Sequence, residues 1–101
     1  MKRKYPKITK HARGQECQIR LYPYCNGNPE TTVFCHAWCE DKGVGIKSPD
    51  YWGAFACSTC HDIVEGRMRV DGLSMPEIYK AHQHGVYRTL KILFEDGIIK
   101  A

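Results

Sequence analysis

The sequence has no uninterrupted apolar stretch of membrane-spanning length. Its basic start, Met-Lys-Arg-Lys, is followed by Tyr5, Pro6 and Lys7 instead of an apolar run, so no secretory signal peptide is expected. The chain also lacks internal repeats and low-complexity segments. These absences favour a cytoplasmic protein without a membrane anchor.

Acidic residues are scarce at the start of the chain, where Glu16 is the single acid among the first twenty residues. The same stretch carries a cluster of basic side chains: Lys2, Arg3, Lys4, Lys7, Lys10, Arg13 and Arg20. A basic arm over residues 1–13 would suit contacts with nucleic-acid phosphates that release counterions. A solvated tail that keeps the protein soluble is the alternative.

A chain of 101 residues has room for one domain with a modest core, here residues 14–101. Such a domain benefits from an additional crosslink, and six cysteines are available. In a reducing compartment, paired cysteines more often bind metal or react than form structural disulfides. The composition therefore favours zinc.

The first half of the chain predicts an antiparallel β arrangement. Residues 16–24 contain β-formers and lead into a turn at Asn26-Gly27-Asn28-Pro29, so a strand followed by a turn is expected. Residues 31–38 are rich in β-branched and aromatic side chains and predict the next strand. Glycines, a proline and charges predict a loop over residues 40–49.

A long C-terminal helix is predicted from about residue 75 to 96. Ser74-Met75-Pro76-Glu77 has the capping-box pattern, and Gly97 provides a stop. Gly85 inside the helix indicates a close packing contact, because glycine costs roughly 1 kcal/mol relative to alanine there. The positions that recur at helical spacing and predict the packed face are Ile78, His82, Val86, Leu90 and Leu93.

Cys57 and Cys60 form the strongest local motif. Two thiolates separated by two residues can bind one tetrahedral zinc ion, and a short helix capped by Ser58 or Thr59 would follow and end near residue 66. Cys17 and Cys25 are the natural second pair. Four thiolates would close the coordination shell of a structural zinc.

Two alternatives to this zinc site remain at the sequence level. Cys57 and Cys60 could form a redox pair, although the surrounding βαβ pattern typical of that chemistry is missing. His61 could also replace one cysteine as a zinc ligand. Cys35 and Cys39 are interpreted as small buried hydrophobic residues.

Two histidines are candidate functional groups. His61 directly follows Cys60, and Glu65 lies four residues later on the same predicted helix face, so the two could share a divalent cation. His36 ends a predicted strand and precedes a loop, from which its ring can project into a cleft.

The combination of Cys-x2-Cys-His after a strand and a histidine on an earlier strand resembles the HNH, or His-Me finger, endonucleases. The similarity is closer to the YbcO-type nucleases of phages and prophages. The runs that carry it are residues 14–20 (GQECQIR), 25–31 (CNGNPET), 45–50 (GIKSPD) and 56–62 (ACSTCHD).

This resemblance implies a role for each site residue. His36 would be the general base that activates water, and His61, with Glu65, would hold a catalytic Mg²⁺ or Mn²⁺. The HNH pattern has an acid or histidine where this chain has Cys35, and its middle asparagine is missing, since none occurs between His36 and His61. Asp50 is the nearest residue that could replace the asparagine.

The sequence thus predicts an α+β domain with a zinc-bound ββα unit and a long C-terminal helix. The expected function is metal-dependent hydrolysis of DNA, with phage recombination intermediates as the substrate that the family suggests, in a bacterial host. A non-catalytic zinc module that binds nucleic acid or a partner protein is the main rival. Oligomeric state stays open between monomer and homodimer. Further candidates for phosphate contacts are Lys42, Lys47, Arg67 and Arg69.

Overall fold

The computed structural model describes residues 7–37 and 51–99. Its helices and strands follow one another along the chain as α1 (Lys7–Ala12), a 3₁₀ turn (Pro29–Thr31), β1 (Val33–His36), β2 (Gly53–Ala56), α2 (Ser58–Val64) and α3 (Met75–Glu95). The predicted α+β class and the C-terminal helix are confirmed. The loop predicted over residues 40–49 lies outside the described residues.

The sheet is an antiparallel pair of β1 and β2. Its register places Cys35 opposite Ala54 and His36 opposite Gly53. A Cβ atom at position 53 would lie 2.6 Å from the Phe34 ring, so only glycine fits opposite His36 without displacing that ring. The strand predicted over residues 31–38 is confirmed at its centre, and the sheet places Cys35 and the candidate base His36 at the end of β1.

The strand predicted for residues 16–24 is wrong. Gln18 donates its backbone N–H to the Phe55 carbonyl at 2.7 Å, but Arg20 then adopts a positive φ of 59°, which interrupts extended backbone. The alternation of polar and apolar residues has another cause. Cys17, Ile19 and Leu21 belong to a loop that packs against the core, and their side chains are buried there.

Helix α3 covers the sheet with the face that the sequence predicted. Ser74 and Glu77 form the capping box, and Ile78, His82, Val86 and Leu93 are buried. Thr89 accepts a hydrogen bond from the Phe55 backbone N–H at 3.0 Å, which fixes the helix to β2. The predicted close contact is present, since a Cβ on Gly85 would lie 3.1 Å from the Gln18 carbonyl oxygen.

Helix α1 was not predicted. Ile8 and Ala12 are buried with Phe34, Phe55 and Leu93 in a second small core. Residues 7–12 of the expected basic arm are therefore part of the packed structure, and residues 1–6 lie outside the described residues.

Candidate metal centres and active site

The turn that begins α2 brings Cys57 and Cys60 together. Cys57 is the N-cap, and its sulfur accepts the Cys60 backbone N–H at 3.4 Å, so the expected capping by Ser58 or Thr59 is wrong. The Cys60 sulfur accepts the Leu21 backbone N–H at 3.5 Å. Both sulfurs thus accept hydrogen bonds from backbone N–H groups in the turn and in the loop at Leu21.

Four cysteines form the first cluster. The sulfurs of Cys17, Cys25, Cys57 and Cys60 all lie within 4.8 Å of one another. The Cys25 and Cys57 sulfurs are 3.8 Å apart, and Zn–S bonds of about 2.3 Å imply a sulfur–sulfur distance of about 3.8 Å in a tetrahedral site. The predicted set does come together and can hold a structural metal ion. His61 belongs to a different cluster, so a site with four cysteines is favoured over one that includes this histidine.

The thiols of this cluster influence each other's protonation. A hydrogen bond from the Cys60 thiol lowers the pKa of Cys17 to about 4, and donating this hydrogen bond, with burial, raises the pKa of Cys60. Burial raises the pKa of Cys25 to about 11. The Cys17 thiolate is thus stabilised without metal, whereas the thiols of Cys25 and Cys60 resist deprotonation.

The loop that carries Cys25 is fixed to the start of α2. Asn26 donates its side-chain N–H groups to the hydroxyl oxygens of Ser58, at 3.0 Å, and Thr59, at 3.2 Å. The Ser58 backbone N–H donates to the Thr31 hydroxyl oxygen at 3.2 Å. These hydrogen bonds connect the loop that carries Cys25 to the turn that carries Cys57 and Cys60.

A second group of potential ligands lies between β1 and α2. Ligand atoms of Cys35, His61 and Glu65 are all within 4.8 Å of one another. His61 Nε2 lies 3.4 Å from Glu65 Oε1, as expected for residues four apart on a helix, and the two side chains are 27% and 36% exposed. Cys35 is fully buried, and burial raises the pKa of its thiol to about 12. The predicted pairing of His61 with Glu65 is present.

The sequence predicted Cys35 to be a small buried hydrophobic residue, and it is buried. Its proximity to His61 and Glu65 was missed because no spacing rule links residue 35 to a helix that begins at Ser58. The available signal was the neighbouring residue: Cys35 precedes His36, at the position where HNH sequences have a metal ligand.

The other ring nitrogen of His61 contacts the guanidinium group of Arg67. Arg67 Nη2 lies 3.0 Å from His61 Nδ1, and Arg67 Nε donates to Asp62 Oδ1 at 3.0 Å. A guanidinium can only donate, so Nδ1 accepts this hydrogen bond, and the neutral ring carries its proton on Nε2, toward Glu65. Arg67, a predicted phosphate contact, thus belongs to the immediate surroundings of the second cluster.

His36 is the last residue of β1 and is exposed. Consecutive Cα atoms are about 3.8 Å apart, so its backbone adjoins that of Cys35, although the two side chains leave the strand on opposite faces. The ring packs edge-on against Phe34, with the centroids 5.1 Å apart. The structure thus places an exposed imidazole next to the second cluster in the chain. Asp50, the third predicted catalytic residue, lies outside the described residues.

His82 supports Cys35 from α3. Burial lowers the pKa of His82, so the ring is neutral and its Nε2–H donates to the Cys35 carbonyl oxygen at 3.3 Å. The sequence predicted only that this histidine lies on the packed face of the helix. Its contact ties β1 to α3 at the residue that contributes a ligand atom.

Comparisons with known proteins identify the family of this chain. A family model described as "Putative nuclease YbcO" matches residues 6–98. The chain belongs to the YbcO family. Two curated relatives, "Putative nuclease YbcO" of Escherichia coli (strain K12) and "Putative nuclease ybcO" of Enterobacteria phage 82, are each 42% identical over 96 residues, which cover 93% of this chain and 97% of theirs.

A solved structure also resembles this YbcO family member. It is described as "Structure of a putative bacteriophage protein from Escherichia coli str. K-12 substr. MG1655" and has a TM-score of 0.73 and 37% sequence identity. The similarity covers 89% of this chain and 99% of the other. Within residues 7–37 and 51–99, no helix combines the length and apolar character needed to cross a membrane.

Proposed function

We propose that this protein is an HNH-type, metal-dependent endonuclease that hydrolyses DNA phosphodiester bonds. The observation that carries the proposal is the gathering of Cys35, His61 and Glu65, with exposed His36 as the residue that follows Cys35 on β1. The partly exposed side chains of His61 and Glu65 can hold a cation, and His36 is proposed to supply the base. The nuclease names of both relatives support the same activity.

Each residue has a defined role in this proposal. His36, as a neutral imidazole, takes the proton of the attacking water. His61 and Glu65 hold a divalent cation, which when bound would offset charge on the phosphate and the departing oxygen. Cys17, Cys25, Cys57 and Cys60 stabilise the fold through a structural Zn²⁺. Asp50 remains the proposed hydrogen-bonding partner that orients the loop or the His36 ring.

The wider setting is part of the same proposal. One relative comes from a phage, which favours DNA inside a bacterial host, and phage recombination intermediates, as the substrate. We also propose that the basic side chains of the predicted arm, residues 1–13, contact DNA phosphates, with residues 7–12 doing so from helix α1, which packs on the single domain of residues 14–101. Arm residues 1–6, Lys42 and Lys47, offered as phosphate contacts, lie outside the described residues.

Plasmid nicking tests the activity directly. Zinc-loaded protein incubated with supercoiled plasmid is expected to produce the open-circular form when Mn²⁺, Mg²⁺ or additional Zn²⁺ is supplied, and not in the presence of excess chelator. Gel electrophoresis over time gives the rate. Stable DNA binding without cleavage under every divalent ion would favour the rival, a non-catalytic zinc module.

A cationic cleft offers a second contact surface for DNA. It measures about 310 Å³, and the basic side chains that line it are Arg20, Lys80, His84 and Arg88. Among the described residues, no ion pair joins any of these four to a carboxylate. The one acid in the lining, Glu77, is engaged in the capping box. Burial and the nearby charge of Arg20 lower the pKa of Arg88. A phosphate in this cleft would relieve that repulsion.

Lys80→Gln tests the cleft. Because each phosphate contact contributes about one unit to the slope of log K against log salt, the variant is expected to bind DNA more weakly and to reduce that slope by about 1. Titration of labelled DNA at several salt concentrations, without divalent ions, measures it. Lys91→Gln is the matched control, since Lys91 is exposed on the same helix and does not line the cleft. Equal slopes for both variants would exclude a phosphate at Lys80.

A further inference from the structure

The second cluster contains a sulfur atom, which the proposed mechanism does not use. Cys35 has no exposed surface, yet its thiol lies within 4.8 Å of an imidazole nitrogen and a carboxylate oxygen. A purely hydrophobic cysteine would be expected among apolar groups only. This thiol instead lies near two side chains, His61 and Glu65, that can bind a metal ion.

The spacing of these atoms fits a single ion. Bonds of 2.0–2.3 Å in a tetrahedral site place ligand atoms roughly 3.3–3.7 Å apart. His61 Nε2 and Glu65 Oε1 are already 3.4 Å apart, and no pair in the cluster exceeds 4.8 Å. Small side-chain rotations would therefore bring all three atoms into coordination.

We propose that Cys35 is the third ligand of this site and that the site takes a thiophilic transition ion, Zn²⁺ or a close analogue, in preference to Mg²⁺. The inference rests on the proposed function only in placing the ion at the active site. It replaces the expectation of Mg²⁺ or Mn²⁺ that the family resemblance implied.

The chemistry of the donor set decides the class of ion. Mg²⁺ requires nearly octahedral coordination by oxygen atoms and retains several of its waters. A thiolate and an imidazole do not provide oxygen ligands. Thiolate and imidazole ligands suit Zn²⁺, whose catalytic sites have three protein ligands and an open position for water. Cys35, His61 and Glu65 supply three ligands, and the partial exposure of His61 and Glu65 leaves a side open to solvent.

Two changes accompany binding. The thiol of Cys35 loses its proton to solvent as the metal–sulfur bond forms, so affinity rises with pH. An imidazole with a metal ion on Nε2 carries its proton on Nδ1, so Arg67 must release the hydrogen bond that it now donates to Nδ1. Arg67 therefore competes with the ion, and Arg67→Gln is expected to tighten binding at this site.

Metal analysis of the full chain tests the inference. Protein loaded with Zn²⁺ and freed of excess is expected to hold two ions per chain, and Cys35→Ala and Glu65→Gln one. Millimolar Mg²⁺ is expected not to displace the second ion. Asp62→Asn is the matched control for Glu65→Gln, because Asp62 is a neighbouring carboxylate outside the cluster, and it is expected to retain two.

Co²⁺ provides a readout of the sulfur itself. After one equivalent fills the four-cysteine cluster, a second equivalent is expected to add a thiolate-to-cobalt charge-transfer band in the wild type, but not in Cys35→Ala. The affinity for that second ion should fall more than about 100-fold, beyond the loss typical of an outer-shell partner. Cys35→Ala is folded if it binds the first equivalent of Co²⁺ as the wild type does and has the same circular dichroism spectrum.

The results separate this inference from the proposed nuclease function. Binding is measured without DNA, so a second zinc lost in Cys35→Ala supports the inference even if no plasmid is nicked. One zinc per chain in the wild type, or two in folded Cys35→Ala, overturns it. Mg²⁺-dependent nicking by protein that holds a single zinc ion would support the proposed nuclease function and contradict metal binding by Cys35.

Discussion

His36→Ala is expected to lower the rate of plasmid nicking by about 10²–10⁴-fold, the range that a positioned general base contributes. His36 is exposed at the end of β1 and follows Cys35 in the chain. The Cys35 thiol lies within 4.8 Å of ligand atoms of His61 and Glu65. Its removal deprives the attacking water of a proton acceptor and leaves the metal ligands in place. The rate of open-circle formation at saturating protein, together with zinc content and DNA affinity, measures the effect.

Two further variants separate loss of the base from loss of structure. His36→Asn keeps a polar side chain of similar size but cannot take up the proton, so it should be as inactive as His36→Ala. His11→Asn makes the same exchange at a histidine that pairs with Asp96 at 2.7 Å and should retain activity. Undiminished nicking by either His36 variant, with zinc content preserved, would remove His36 from the mechanism.

Removal of the proposed structural zinc is expected to unfold the domain. Zinc binding contributes about 10–16 kcal/mol in small zinc peptides, whereas the free energy of unfolding of whole domains is only about 5–15 kcal/mol. Cys60→Ser should have the same effect, because Cys60 is fully buried and its sulfur accepts the Leu21 backbone N–H. Circular dichroism and metal analysis before and after chelation provide the measurement.

The control for this experiment lies in the same helix. Ser58→Ala removes a hydroxyl that accepts from Asn26 at an exposed position, and its cost should be within about 1.5 kcal/mol, without loss of zinc. A reduced, chelated protein that keeps its fold would show that the four-cysteine cluster does not stabilise it. Rapid reaction of Cys57 and Cys60 with a thiol reagent in untreated protein would instead support the redox alternative.

Several features could be read from the sequence because their causes are local. A capping box depends on residues three apart, so Ser74 and Glu77 define the start of α3 without tertiary information. The same holds for the turn at Cys57 and Cys60, and for His61 and Glu65 at helical spacing. Residues 16–24 show the limit of this approach. Their alternation of buried and polar side chains matches a strand, but Arg20 adopts a positive φ and the segment packs as a loop.

By itself, the sequence determined the start and the packed face of α3, the turn that holds Cys57 and Cys60, and the helical proximity of His61 to Glu65, since short-range spacing encodes all three. Only the tertiary structure decided that Cys35 faces His61 and Glu65, that His82 holds the Cys35 carbonyl, and that Ile8 packs against the sheet. The physical reason is that these contacts join segments separated along the chain. Burial of the shared core creates such contacts, and no local pattern records them.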